Sequence, residues 1–146
     1  MSTESAIRTT TDANCIFCKI VAGQIPCHRL FEDGDAIAFL DIAPLADGHA
    51  LLVPKAHAGR LEDLPPDVVG AVTASLGRVA AAVMKAVGAP GYNVLQNNGA
   101  VAGQVVPHVH FHIIPRSAND GLGFRWNAQQ RAPEQLAALR SKIGEI

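Results

Sequence analysis

Aromatic side chains are scarce in this chain, 5% of 146 residues with one Trp and one Tyr, so its core cannot rest on stacked rings. Apolar residues still make up 49%, and 24 residues are alanine. Val, Leu, Ile and Ala, with five Phe as large fillers, must build what the length allows, one ordinary domain. A surplus of positive charge is also missing: twelve Lys and Arg face thirteen Asp and Glu, a formal charge of -1. A nucleic-acid polymer is held by cations that displace its counterions, so that class of partner is not expected, whereas a small phosphate ligand needs only a few local donors. No stretch approaches the roughly 18 to 20 apolar residues of a membrane span, and no membrane partner is expected. Met1 to Asn14 is rich in Ser and Thr, lacks the apolar stretch of a signal peptide, and carries Glu4 and Asp12 against a transit peptide. Residues 1–14 are expected to be a flexible extension and residues 15–146 a single domain of a cytoplasmic protein. Cysteine is sparse too. Three of them, an odd number, suit a reducing compartment better than a disulfide framework.

What is present is punctuated by glycine and proline. Ile16 to Ala22 reads as a short helix stopped by Gly23. His28 to Phe31 and Ala36 to Asp41 read as strands joined by the turn Glu32-Asp33-Gly34-Asp35, and His49 to Val53 as a third strand ending at Pro54. Pro65-Pro66-Asp67 opens a long helix. Within it Val68, Val72, Leu76, Val79, Val83 and Val87 recur at spacings of three and four. Tyr92 to Gln96 and His108 to Pro115 are the fourth and fifth strands, and Pro133 to Ile143 carries a weak helix signal. The pattern predicts an α+β domain, a sheet of about five mainly antiparallel strands with one long helix packed on it and a helix at the C-terminus.

Histidine is the unusual residue: six, three of them in His108-Val109-His110-Phe111-His112. Period two sends those three to one face of a strand and Val109, Phe111 and Ile113 to the other, with successive imidazoles about 6 to 7 Å apart. Such a row offers a metal site, or a nucleophile with flanking donors for an anion. One zinc bound by all three would need ligands about 13 Å apart at the extremes, against bonds of about 2 Å. Cys15 and Cys18 form a C-x-x-C pair, which fits half of a structural zinc site, a redox motif, or two buried small hydrophobes.

Together with Cys15 to Ile20, Ala38 to Ile42, Gly48-His49 through Lys55 and His57, and Asn97 to Arg116, the histidine strand resembles the histidine triad family of nucleotide hydrolases and transferases, in the bacterial branch nearest the Hint proteins. The resemblance implies that His110 attacks the α-phosphorus of a nucleoside monophosphate conjugate (a purine phosphoramidate, adenylate or dinucleotide) to give a nucleotidyl-histidine. It makes His112 a donor to phosphate oxygen and brings His49 in from a neighbouring strand. It assigns Asn97, Gly103, Gln104 and Val105 to the phosphate side, Asp41 to the ribose hydroxyls and Ile42 to the base, and it implies a homodimer joined across the long helix and the fourth strand. By analogy with zinc-bearing members, Cys15, Cys18, His57 and His108 would hold a structural zinc ion, with His49 the rival fourth ligand. Val105 departs from the Hint pattern, which has serine there. That departure leaves room for a nucleotide-binding scaffold with little turnover as the alternative function.

Overall fold

The computed structural model describes residues 10–123 and 126–146. Five strands form one sheet in the order β1-β2-β3-β5-β4, every neighbouring pair antiparallel. They are β1 (Arg29–Glu32), β2 (Ala36–Leu40), β3 (Ala50–Pro54), β4 (Gly91–Gln96) and β5 (Phe111–Arg116). Before them comes α1 (Ile16–Val21). Between β3 and β4 lie α2 (Pro66–Thr73) and α3 (Leu76–Val87), and α4 (Pro133–Ile143) closes the chain.

The expected long helix is thus present, but it is interrupted at Ala74–Ser75. Thr73 Oγ1 donates to Val69 O at 2.8 Å and Ser75 Oγ to Val72 O at 3.1 Å, hydroxyl bonds to the preceding turn that bend helices. Pro66–Val87 is long and apolar enough to cross a membrane, with a mean hydropathy of 1.4 over its most apolar window, which corrects the expectation that no stretch comes near. It is a core helix. Val68, Val72, Val79, Ala80 and Val83 are buried against Ala36, Ala38, Ala50, Leu52, Phe111 and Ile113 on one sheet face, and each fully buried Val or Leu contributes roughly 1.5–3 kcal/mol. Gly48 shows how close the approach is: a Cβ there would lie 2.8 Å from Val87 Cγ1 and 2.9 Å from Val83 Cγ1.

The second sheet face is covered as well. Ile37, Phe39, Leu51 and Val53 pack with Cys15, Phe17 and Cys18 from the α1 region, so β2 and β3 are buried on both sides. Thr10 begins the described chain and is fastened to it. His57 N donates to Thr10 O, and Thr10 Oγ1 to His57 O, both at 3.0 Å. Of the expected extension, residues 1–9 lie outside the described residues. At the other end α4 has no buried residue, and Leu136, Leu139 and Ile143 are exposed.

Strand β5 starts at Phe111, three residues later than the alternation suggests. His108 N bonds to Val106 O and Val109 N to Ala58 O, both at 2.8 Å, so these amides serve a turn and the segment that follows β3 rather than the ladder. Alternation nevertheless survives. Val109, Phe111 and Ile113 enter the helix-side core, while Phe17, on the other face, packs edge-on against His108 and His110 with ring centroids 5.8 and 5.0 Å apart.

Candidate active site

His110 and His112 stand side by side with ring centroids 4.8 Å apart. His110 is 5% exposed. Its Nδ1 lies 2.6 Å from the carbonyl oxygen of His108. A carbonyl can only accept, so Nδ1 carries the proton and Nε2 keeps its lone pair. Burial is the main cause of a pKa pushed below the ordinary histidine value, against the His108 carbonyl and Asp41, which raise it. The result is a neutral imidazole with a fixed tautomer.

The tautomers of its neighbours follow by the same reasoning. Leu45 N donates to His49 Nδ1 at 3.0 Å, so the proton of His49 sits on Nε2. That nitrogen is 2.9 Å from His112 Nδ1, which must therefore accept and leave His112 with its proton on Nε2. His49 Nε2 is also 3.7 Å from Asp41 Oδ2. Burial, then the neighbouring His110 and His49, pushes His112 down to about 4, so it is a neutral donor. Asp41 sits at the end of β2, where its Oδ1 accepts from Ala43 N at 2.9 Å. Ile42 beside it is 88% exposed, an apolar surface facing solvent.

The loop between β4 and β5 supplies backbone. Gly99 and Gly103 take φ of +91° and +92°, a conformation that disfavours any side chain, and Asn97 Nδ2 reaches Gly103 O at 3.5 Å. The amide of Gln104 is committed at both ends: Oε1 accepts from Gly99 N at 2.8 Å and Nε2 donates to Gly59 O at 2.7 Å. It braces the loop. Val105 is 89% exposed.

A second cluster stands at the start of the same histidine row. Ligand atoms of Cys15, Cys18, His57 and His108 all lie within 4.8 Å of one another. His108 Nδ1 is 3.4 Å from Cys15 Sγ, 3.6 Å from Cys18 Sγ and 3.0 Å from His57 Nδ1, and His57 Nδ1 is 3.3 Å from Cys18 Sγ. His108 Nε2 donates to Pro54 O at 2.8 Å, which turns the bare Nδ1 toward the sulfurs, as metal-binding histidines are oriented. The donor set is that of a four-coordinate site, so the cluster could bind a metal. The rival His49 belongs to the other group. Two of the buried phenylalanines, Phe17 and Phe39, stack edge-on at 5.8 Å in the core. Cys27 is half-buried, and His28 is exposed.

Sequence reasoning missed the Leu45 amide that sets the His49 tautomer, and it missed Asn98, whose Oδ1 accepts from Leu61 N at 2.8 Å. Periodicity carries no signal for either, because both bonds depend on loop geometry.

Fold and site together are those of a known class: an α+β domain presenting a buried neutral imidazole, with a free Nε2, on the strand that follows a glycine-bearing loop. The HIT domain matches residues 22–119, and the chain belongs to the HIT family, as a nucleotide hydrolase of that family. It is similar to the adenosine 5'-monophosphoramidase hnt1 of Schizosaccharomyces pombe, 47% identical over 89% of this chain and 96% of that protein. The crystal structure of SMU.412c from Streptococcus mutans UA159 covers 91% of this chain and 85% of its own, at 37% identity with a TM-score of 0.88. A Zn-bound histidine triad family protein from Mycobacterium smegmatis is 37% identical over 88% of this chain and 97% of its own, with a TM-score of 0.71.

Proposed function

We propose that the chain hydrolyses purine nucleoside monophosphate conjugates through a nucleotidyl-histidine on His110. The observation that carries this reading is the 2.6 Å contact of His110 Nδ1 with the His108 carbonyl, which leaves Nε2 as the nucleophile. Nε2 attacks the α-phosphorus, and the bond from phosphorus to the leaving group breaks. The carbonyl then steadies the positive charge that the imidazole gains. His112 Nε2–H donates to a phosphate oxygen as charge builds there, and His49 keeps that tautomer in place. Water attacks the intermediate next, releasing the nucleoside monophosphate and restoring His110. Asn97, Gly103, Gln104 and Val105 shape the phosphate loop, Asp41 accepts from the ribose hydroxyls, and Ile42 lies against the base. Adenosine 5'-phosphoramidate is the first substrate to try, given the named activity of the fission yeast relative. Trapping a covalent nucleotidyl adduct that disappears in His110→Ala tests the reading; tight nucleotide binding with neither adduct nor turnover refutes it.

Cys15, Cys18, His57 and His108 are read as ligands of a structural zinc ion. Such an ion, when bound, tethers the α1 region to the histidine row and takes no part in the chemistry. Thiols kept reduced for that purpose fit a cytoplasmic setting. β4 is an edge strand with Tyr92 and Val94 nearly half exposed, which supports a homodimer joined across that edge and the long helix.

A further inference from the structure

Asp12 belongs to the stretch expected to form a loose extension, yet its polar groups are turned to the cysteine–histidine cluster or to the turn that leads into it. Its N–H donates to Cys18 Sγ at 3.4 Å, and its carbonyl accepts from Cys15 N at 3.1 Å. Oδ1 accepts from Asn14 N at 2.8 Å, which closes the turn before α1, while Oδ2 lies 3.9 Å from His57 Nε2. Two residues earlier, Thr10 exchanges two bonds with the His57 backbone, both at 3.0 Å. The segment 10–12 is therefore laid along His57, from its backbone to the far edge of its ring.

A neutral His57 can carry its proton on either ring nitrogen. Nδ1 lies 3.0 Å from His108 Nδ1 and 3.3 Å from Cys18 Sγ. His108 Nδ1 is bare, because the Nε2–H of that ring is given to Pro54 O, so His57 can donate an Nδ1–H to it. In that tautomer the nitrogen facing the sulfurs has no lone pair to offer a metal. With the proton on Nε2 instead, Nδ1 becomes a ligand atom. A carboxylate beside Nε2 favours this second tautomer, as outer carboxylates do for metal-binding histidines. At 3.9 Å the contact is one of charge rather than a hydrogen bond, which puts its effect at the lower end for such partners. The Asp12 N–H works toward the same end, since its bond to Cys18 Sγ strengthens when that sulfur is a thiolate ligand.

We propose that Asp12 is a positioning residue of the zinc site, whose carboxylate holds the His57 proton on Nε2 so that Nδ1 stays open to the metal. This rests on the zinc reading above. The test is the zinc affinity of the reduced full chain, measured by competition with chelators of graded strength, for the wild type, Asp12→Asn, His57→Ala and the double variant. Asparagine keeps the backbone bonds and an oxygen for Asn14 N and removes only the charge. Asp12→Asn should weaken zinc binding about tenfold, the lower end of what outer partners of metal ligands contribute. In the His57→Ala background the same change should do nothing, because the ring it acts on is gone. In the metal-free protein, nitrogen NMR shifts of His57 should report the Nε2–H tautomer in the wild type and more Nδ1–H in Asp12→Asn. Unchanged zinc affinity in Asp12→Asn, an equal loss in both backgrounds, or an unaltered tautomer overturns the assignment while the zinc reading stands. A wild type that binds no zinc removes both.

Discussion

Two clusters share one histidine row and make opposite uses of the same ring. At His108 the Nε2–H is spent on the Pro54 carbonyl, and the bare Nδ1 faces two sulfurs and His57 Nδ1. Four ligand atoms thus converge on one point, an arrangement that a cation taking the place of the thiol protons would suit. Four residues on, Asp41, His49 and His112 also bring ligand atoms within 4.8 Å of one another, yet a metal does not suit them. Leu45 N already occupies His49 Nδ1, so a metal on Nε2 would require an imidazole stripped of both protons. What separates a candidate metal site from a hydrogen-bonded histidine pair here is the partner of each far nitrogen: a carbonyl acceptor in one, an amide donor in the other.

Substitution at His110 sharpens this contrast most. His110→Ala should lower nucleoside monophosphate release on the order of 10^3-fold or more, while zinc content, read by atomic absorption, stays at the wild-type level. Cys18→Ser should do the reverse. Metal should be lost and Tm should fall on the order of 10 °C, as when a structural zinc site is broken, with turnover per folded molecule little changed at low temperature. Turnover that vanished in step with the metal while the fold held would merge the two clusters into one metalloenzyme site.

The hydrogen-bonded pair breaks at His49. His49→Leu removes the donor to His112 Nδ1, and losing one buried hydrogen bond should cost about 10- to 100-fold in kcat. His49→Gln, which retains an N–H, should recover part of that loss; equal damage in both variants would point to packing instead. Acid offers a gentler probe. His112 is held down to about 4 by burial against an unfolded value near 6.5. The unfolded chain therefore takes up a proton first as pH falls. The stability contributed by the neutral ring is complete above about pH 6.5 and is lost progressively toward pH 4. After discounting for partial exposure this amounts to about 1 kcal/mol, measurable as a steeper acid loss of denaturant stability than in His112→Asn.

Much of this contrast was legible in the sequence, and the parts that were not share a cause. Alternation placed Val109, Phe111 and Ile113 in the core and the histidines opposite, because side-chain period survives even where the ladder does not. C-x-x-C spacing selected Cys15 and Cys18 because a single helical turn, capped by Cys15 itself, aims both sulfurs one way. Ring tautomers were invisible, since they are set by the Leu45 amide and the His108 and Pro54 carbonyls, backbone atoms every residue possesses. Gln104 was expected to face the phosphate but is consumed by Gly59 and Gly99, a competition only tertiary structure reveals. The start of β5 was misplaced for the same reason: Ala58, remote in sequence, takes the amide of Val109.

Val105 gives the smallest of these effects and bears on the chemistry of the leaving group rather than on either cluster. It is 89% exposed, so neither packing nor folding demands valine there, and replacing it should change the unfolding free energy by less than about 1 kcal/mol. Serine would add one hydroxyl able to donate to a departing amine or to a phosphate oxygen, an exposed neutral bond worth about 0.5–1.5 kcal/mol. Val105→Ser should therefore raise kcat/KM for adenosine 5'-phosphoramidate about three- to tenfold. Val105→Thr restores the hydroxyl while keeping the branched shape and should follow it, whereas Val105→Ala, which only removes bulk, should not. A gain in the alanine variant equal to that in serine would mean that the valine obstructs the site sterically and that no hydroxyl is wanted at this position.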